Sequence, residues 1–325
     1  VSHQVAFRAP NWLGDAVLAT VVLPALRRRD PRARVTVLAR EGLGDLYSRS
    51  PHVDETRELS PGGEVDAYRR GGYDLVLLGP TSFGSAWRVV RGGAKAMGFA
   101  TSGRGALLAG RLAGSEYRRG RHQVENYRAL AGLVGEPSPA DAPAVSIDPE
   151  WRRDALQRWP ARGARRVVLQ PGAAYGPAKR WPAERFGEVG ATMVAEGHDV
   201  AVVGSAADRE VVARVRASAP GLLDLSGSTS IGMLAALLES ANLLITNDTG
   251  PMHLAAAVGT RCLALFGSTS PDWTRPHGSG HVVARHPVAC APCFLRRCPI
   301  GAPCFDGLAA AAVLERARAL LAEAA

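Results

Sequence analysis

Leu243-Leu244-Ile245-Thr246-Asn247-Asp248-Thr249-Gly250-Pro251-Met252-His253-Leu254-Ala255-Ala256-Ala257-Val258 holds three signals in one stretch. Leu243–Thr246 reads as a buried strand, a short polar loop follows, and a helical pattern opens at Pro251. Asp248 or Thr249 suits the cap of that helix. Pro251 suits its first turn, where a missing N–H costs little. Gly250 lets the backbone come close to a ligand. The helix start therefore reads as an anion site, with free N–H groups and the helix dipole facing negative charge. An ordinary capped strand–helix junction is the plainer alternative.

The same grammar recurs on either side. Val167–Gln170, Val200–Gly204 and Leu263–Phe266 read as strands, and Ala183–Glu196, Asp208–Ser218, Ile231–Ser240 and the Ala-rich stretch 308–324 as helices. In the first half, Val5–Phe7, Val35–Leu38 and Leu75–Leu78 read as strands. Ala16–Arg29, Leu43–Ser50, Ser82–Arg91 and 122–134 read as helices, the first bent or divided at Pro24. Strands alternating with helices imply parallel sheets covered on both faces. A chain of 325 residues is long for one core. The proline-rich stretch 135–143 reads as an extended linker, giving domains at 1–150 and 151–325, with the final helix expected to pack back on the first. The expected class is α/β, two doubly wound Rossmann-like domains facing across a cleft. Its chemistry belongs in the strand-to-helix loops.

A hydrophobic fraction of 46% and a charged fraction of 21% fit a globular protein. No apolar run reaches the roughly 20 residues that cross a bilayer. Val1–Arg8 is too short for a signal peptide, so the expectation is a cytoplasmic protein. The formal charge is +9, and all but two of the 39 basic residues are arginine. That bias reads first as the mark of a GC-rich genome, though a positive field also favours an anionic partner. The charge is spread over both halves and no aromatic-rich recognition motif accompanies it, which argues against nucleic acid.

Two more loops carry candidate chemistry. In Gln170-Pro171-Gly172-Ala173-Ala174-Tyr175-Gly176-Pro177-Ala178-Lys179-Arg180-Trp181-Pro182, Lys179 is one of the two lysines. It reads as a point charge for a phosphate oxygen or as a solvated surface residue; Trp181 reads as packing. In Arg8-Ala9-Pro10-Asn11-Trp12-Leu13-Gly14-Asp15, Asp15 reads as a helix cap or as a general base for an attacking hydroxyl.

Taken in order, Asn11–Asp15 with Ala16-Val17-Leu18, Pro171-Gly172-Ala173 with Ala178–Pro182, and Asn247–His253 with Ala264–Pro271 resemble the motifs of glycosyltransferase family 9, the bacterial heptosyltransferases. The cysteine segment 290–304 is similar to the one typical of the second heptosyltransferase of lipopolysaccharide core assembly. The resemblance implies a GT-B fold and inverting transfer of heptose from ADP-heptose to a hydroxyl of the lipopolysaccharide inner core. It implies Asp15 as general base, and Lys179 with the N–H groups at Thr249 and Gly250 on the departing β-phosphate, His253 assisting. Asp248 is then expected on a sugar hydroxyl, Asp208 near the donor ribose, and Arg8 and Asn11 on the acceptor side. The first domain would take the acceptor and the second the donor, without a catalytic metal. An anionic glycolipid of the lipid A–core type would be the acceptor, met at the inner face of the cytoplasmic membrane. Arg104, Arg111, Arg118, Arg119, Arg121 and Arg128 form a basic stretch that suits such an acceptor, or a solvated surface.

Cys290, Cys293, Cys298 and Cys304 follow the spacing C-x2-C-x4-C-x5-C, and Cys262 sits in an apolar run. Four close thiols suggest a structural zinc site lying beyond the active-site loops, and the resemblance adds iron, since a related branch of the family carries an iron-binding cysteine cluster. Free thiols or disulfides are the alternatives. Competing functions are a heptosyltransferase for a soluble natural product or protein, a sugar-nucleotide epimerase or hydrolase, and a non-catalytic nucleotide-sugar-binding module.

Overall fold

The computed structural model describes residues 3–118 and 120–323. It divides into two compact units, Val1–Ser146 and Ile147–Ala325. The first contains strands β1 (Gln4–Arg8), β2 (Arg34–Arg40), β3 (Glu55–Leu59), β4 (Leu75–Leu78), β5 (Lys95–Ala100) and β6 (Leu108–Ala113). They form one parallel sheet in the order β3-β2-β1-β4-β5-β6. The second contains β7 (Arg166–Gln170), β8 (Asp199–Val202), β9 (Leu223–Asp224), β10 (Leu243–Asn247), β11 (Arg261–Phe266) and β12 (Val282–Arg285). Its order, β12-β11-β10-β7-β8-β9, repeats that of the first unit. Each sheet changes direction between its first and fourth strands, the place where a doubly wound fold opens a crevice at its strand ends. Register puts Arg8 beside Leu78 in one sheet and Gln170 beside Thr246 in the other. The loops after β1 and β4, and those after β7 and β10, therefore leave their sheets side by side.

The expected central strands are present because a parallel strand buried on both faces is a short, continuous apolar run. The strands without that signature are mostly edges: Glu55-Thr56-Arg57-Glu58-Leu59 has a neighbour on one side only and tolerates charge. The expected helix Leu43–Ser50 is instead a single 3-10 turn, Gly44–Leu46. Glu58 Oε1 accepts from both Gly42 N (3.0 Å) and Gly44 N (2.8 Å), pulling this segment onto the β3 edge. Ala16–Arg29 is indeed divided, into helices Leu13–Leu18 and Val22–Arg29 around a 3-10 turn, with Pro24 inside the first turn of the second.

The final helix, Ala310–Ala322, packs within the second unit. Val313, Ala317, Leu320 and Leu321 enter the core of the second unit, against helix Ala183–Ala195 and strands β10 and β11. Cys262 is fully buried, and burial pushes its thiol well up from the ordinary range.

Arg104 leaves the basic stretch altogether. It is fully buried, donating to Phe99 O (2.8 Å), Pro80 O (2.7 Å) and Ser85 Oγ (2.8 Å). Burial pulls its pKa down to about 10, still far above neutral pH, so a charged guanidinium braces the loop after β4. A Cβ on Gly98 would lie 3.1 Å from this guanidinium, so the glycine in β5 makes room for it. Arg128 pairs with Glu125 (2.6 Å), and Arg121 donates to Asn126 Oδ1 (3.0 Å) and Glu116 O (2.9 Å). Arg119 lies outside the described residues. The stretch is thus largely spent on internal bonds.

Candidate functional site

In the second unit the two central loops are tied together by Asn247. Its buried Nδ2 donates to Pro171 O (2.9 Å) and Gly172 O (3.3 Å), and its Oδ1 accepts from Trp181 N (3.0 Å). The loop after β7 is so held to the end of β10 at both its beginning and its end. Lys179 Nζ lies 2.6 Å from Asp248 Oδ2 and donates also to Asp248 O (3.3 Å). Thr269, from the loop after β11, donates to the same Asp248 Oδ2 (2.7 Å). Three strand ends therefore converge on one carboxylate. The side chains of Lys179 and Asp248 are only 14% and 4% exposed, so Lys179 is no solvated surface residue.

Thr249 occupies the N-cap position of helix Gly250–Ala257, but neither it nor Asp248 caps the helix with its side chain. Thr249 Oγ1 instead donates to Gln170 Oε1 (3.1 Å), which also accepts from Thr246 Oγ1 (3.1 Å). No side-chain cap bond closes the helix start at Gly250, and no acidic residue stands in its first turn. His253 is buried one turn further on. Trp181 is wholly in the core, as packing requires, edge-on to Phe186.

Asp208 sits at the neighbouring β8 loop. Its Oδ2 accepts from Ser205 N (2.9 Å) and Ser205 Oγ (2.7 Å), while Oδ1 lies 3.9 Å from Arg180 Nη2. A Cβ at Gly172 would come within 2.4 Å of the Asp208 carboxylate, so glycine is what lets the β7 and β8 loops meet. Lys179, Asp248, Thr249 and Gly250 thus form one cluster, with Asp208 on its β8 side.

In the first unit, Asp15 lies in the first turn of helix Leu13–Leu18, after β1. Its Oδ1 accepts from Tyr127 Oη (3.1 Å) and Gln123 Nε2 (3.4 Å). Burial, with the Asp15 charge adding to it, holds the Tyr127 phenol well above its ordinary range, so Tyr127 stays a proton donor. Both partners come from helix Gln123–Ala131, one turn apart on the same face. Arg8 is nearly buried: it donates to Asn11 Oδ1 (2.8 Å), pairs with Glu64 (2.9 Å) and also bonds Ala9 O. Arg8 and Asn11 line a pocket of about 580 Å3 with Arg40, Ser60, Glu64 and Arg88. Arg8 is mostly occupied internally, and the exposed Asn11, Arg40 and Arg88 are the groups a ligand would meet there.

The cysteine segment does not lie beyond these loops. Phe294 N donates to Ser268 O (2.8 Å), Tyr175 Oη to Phe294 O (2.7 Å), and Ala178 N to Arg296 O (3.1 Å). The segment is laced to the loop that carries Lys179. All four thiols are free, and among the described residues no group of three or more His, Cys, Asp or Glu side chains is placed to hold a metal ion. Cys304 is buried, and that burial, with the neighbouring Cys298, Cys290 and Cys293 adding to it, raises its thiol pKa. As arranged, the four thiols do not fit a zinc or iron ligand set.

A family model described as glycosyltransferase family 9 (heptosyltransferase) matches residues 66–302, well over half of the chain. The chain belongs to glycosyltransferase family 9. It is 30% identical to lipooligosaccharide heptosyltransferase 2 of Haemophilus influenzae, over 82% of this chain and 84% of that protein. It is 29% identical to lipopolysaccharide heptosyltransferase 2 of Escherichia coli, over 82% and 83% of the two chains. Among solved structures, E. coli ADP-heptose lps heptosyltransferase II superposes with a TM-score of 0.85 at 27% identity, covering 98% of this chain and 99% of that one. These likenesses agree with the α/β class expected from the strand and helix pattern and with the GT-B fold that the resemblance implies. Among the described residues no helix is long and apolar enough to cross a membrane.

Reading the family motifs alone leaves out several partners of the candidate residues in each unit. Gln123 and Tyr127 flank Asp15, Gln170 holds Thr249, and Thr269 holds Asp248. Gln170 and Thr269 stand within quoted motifs at strand ends, a position that marks a loop-facing polar residue. Gln123, Asn126 and Tyr127 are buried polar residues of one helix, at a spacing a sequence reading could have taken as the sign of a partner.

Proposed function

We propose that this chain transfers heptose from ADP-heptose to a hydroxyl of the lipopolysaccharide inner core, with inversion at the anomeric carbon. The first unit binds the acceptor and the second the nucleotide sugar. Asp15 accepts the proton of the attacking hydroxyl, and that oxygen displaces ADP. Tyr127 and Gln123 aim the carboxylate. As the bond to ADP breaks, negative charge grows on the β-phosphate. Lys179 and the N–H groups at Thr249 and Gly250 stabilise it, each such donor contributing roughly 3–4 kcal/mol at the transition state. His253 assists from the same helix, Asp248 bonds a sugar hydroxyl, and Asp208 bonds the donor ribose. No step passes through a metal.

The observation that carries this reading is the Lys179–Asp248 contact at an uncapped helix start, where the β7 and β10 loops emerge together. A cation parked on a carboxylate in the ligand-free chain is free to exchange that partner for a diphosphate. The acceptor is an anionic glycolipid of the lipid A–core type, met at the inner face of the cytoplasmic membrane by a peripheral contact. Helix Phe83–Arg91 supports this placement, since Phe83, Trp87 and Val90 stand exposed at positions i, i+4 and i+7 of one face, near the exposed Arg88 and Arg91.

ADP release from ADP-heptose, measured with and without acceptor, tests the reading. Acceptor-dependent release is expected. Release that ignores the acceptor indicates hydrolysis, and none indicates a binding module. Asp15→Asn should bind ADP-heptose normally and lose about 100-fold or more in kcat; turnover within a few-fold of wild type removes Asp15 as the base.

A further inference from the structure

We infer that Arg296, inside the cysteine segment, is a positioning residue for Lys179, so that this segment is part of the donor site. The inference rests on the reading of Lys179 as a diphosphate ligand and adds to it the element that holds it in place.

Three interactions lock the two segments around one aromatic ring. Arg296 Nε donates to Tyr175 O (2.8 Å), Arg296 O accepts from Ala178 N (3.1 Å), and Tyr175 Oη donates to Phe294 O (2.7 Å). The Arg296 guanidinium lies 5.6 Å from the Tyr175 ring centroid, and Lys179 Nζ lies 5.1 Å from the same centroid. Two cations thus share one ring, which attracts both through its quadrupole. Gly176 has φ +154°, and a Cβ there would sit 2.5 Å from Arg296 O. The loop therefore reaches Arg296 by dispensing with a side chain. Phe294, two residues before Arg296, packs edge-on to Trp273 (5.8 Å) and donates its N–H to Ser268 O, so the clasp is anchored beside Thr269, the partner of Asp248.

This arrangement gives the Lys179 ammonium two stations, the Asp248 carboxylate and the Tyr175 face. When a diphosphate draws Nζ away from Asp248, the ring still limits where the ammonium goes. Arg296 holds the residue that carries the ring, through its bond to Tyr175 O and its own approach to the ring. A long cationic side chain left without that limit would lose more conformational freedom on binding the phosphate.

The test is calorimetric titration of the full chain with ADP. Arg296→Ala should weaken ADP binding about five-fold, and Arg296→Lys, which keeps a cation over the ring, should recover part of that loss. Tyr175→Phe keeps the ring and loses only the bond to Phe294, so its effect should be smaller than that of Arg296→Ala. Arg297→Ala removes the same charge from the neighbouring exposed position and should leave ADP affinity unchanged. In a Lys179→Ala background, Arg296→Ala should add nothing further. The inference is overturned if Arg296→Ala matches wild type, if Arg297→Ala weakens binding equally, or if the Arg296 and Lys179 losses simply add. If Lys179→Ala itself leaves ADP affinity unchanged, the underlying reading of Lys179 has failed instead.

Discussion

Lys179→Ala separates what this lysine does for the fold from what it does for the reaction. In the ligand-free chain its ammonium faces a carboxylate that is 4% exposed and otherwise receives the Thr269 hydroxyl. Removing the cation leaves Asp248 charged and short of a partner. Breaking a fully buried pair costs roughly 3–5 kcal/mol. Lys179 keeps some solvent contact and Thr269 remains, so about 2–3 kcal/mol is the fitting scale here, a fall in Tm of roughly 5–10 °C. Diphosphate binding must compete with Asp248 for the ammonium, which keeps the ground-state benefit small, and ADP affinity should drop only about ten-fold. Charge developing on the leaving phosphate has no such competitor. The loss in kcat should therefore reach about 100-fold or more. The decisive comparison is Lys179→Ala/Asp248→Asn, measured by thermal melts, ADP titration and ADP release with acceptor. Neutralising Asp248 should return most of the lost Tm and none of the lost kcat. Recovery of turnover in the double variant, or turnover in Lys179→Ala within a few-fold of wild type, would refute the assignment of this lysine to the leaving group.

Three other outcomes follow from named contacts. Tyr127→Phe removes the 3.1 Å bond to Asp15 and should lower kcat several-fold with ADP affinity unchanged; a matching loss of ADP affinity would contradict its placement at the base. Gly172→Ala puts a methyl group 2.4 Å from the Asp208 carboxylate, so the β7 and β8 loops must part and donor KM should rise; an unaltered KM would separate Asp208 from donor binding. Protein purified without chelator should carry well under one zinc or iron per chain by elemental analysis, and one metal per chain would restore the cysteine site that the thiol arrangement does not support.

Much of the site could be read early because its chemistry is local. A strand end, a polar loop with glycine and a helix start lie within a dozen residues, so Asn247–His253 and Pro171–Lys179 announce themselves in order along the chain. Asp15 is legible for the same reason. Its partners are not, because Gln123 and Tyr127 lie more than a hundred residues away and reach it only once their helix has packed. Burial also escaped local reading: Arg104 counted as surface charge until the fold enclosed it with carbonyl partners. The cysteine spacing invited a metal, yet these backbone paths leave the four thiols without a ligand set and lay the segment along the Lys179 loop.

Taken alone, the order of residues determined the α/β class and the central strands, since periodicity and turn chemistry act between near neighbours. It also picked out the three loops that carry the candidate chemistry. Only the tertiary structure decided the repeated strand order, the edge strands, the home of the final helix and the partner of each charged group. Those depend on which distant surfaces exclude water together, and a hydrogen bond across a hundred residues leaves no mark on either residue's immediate neighbours.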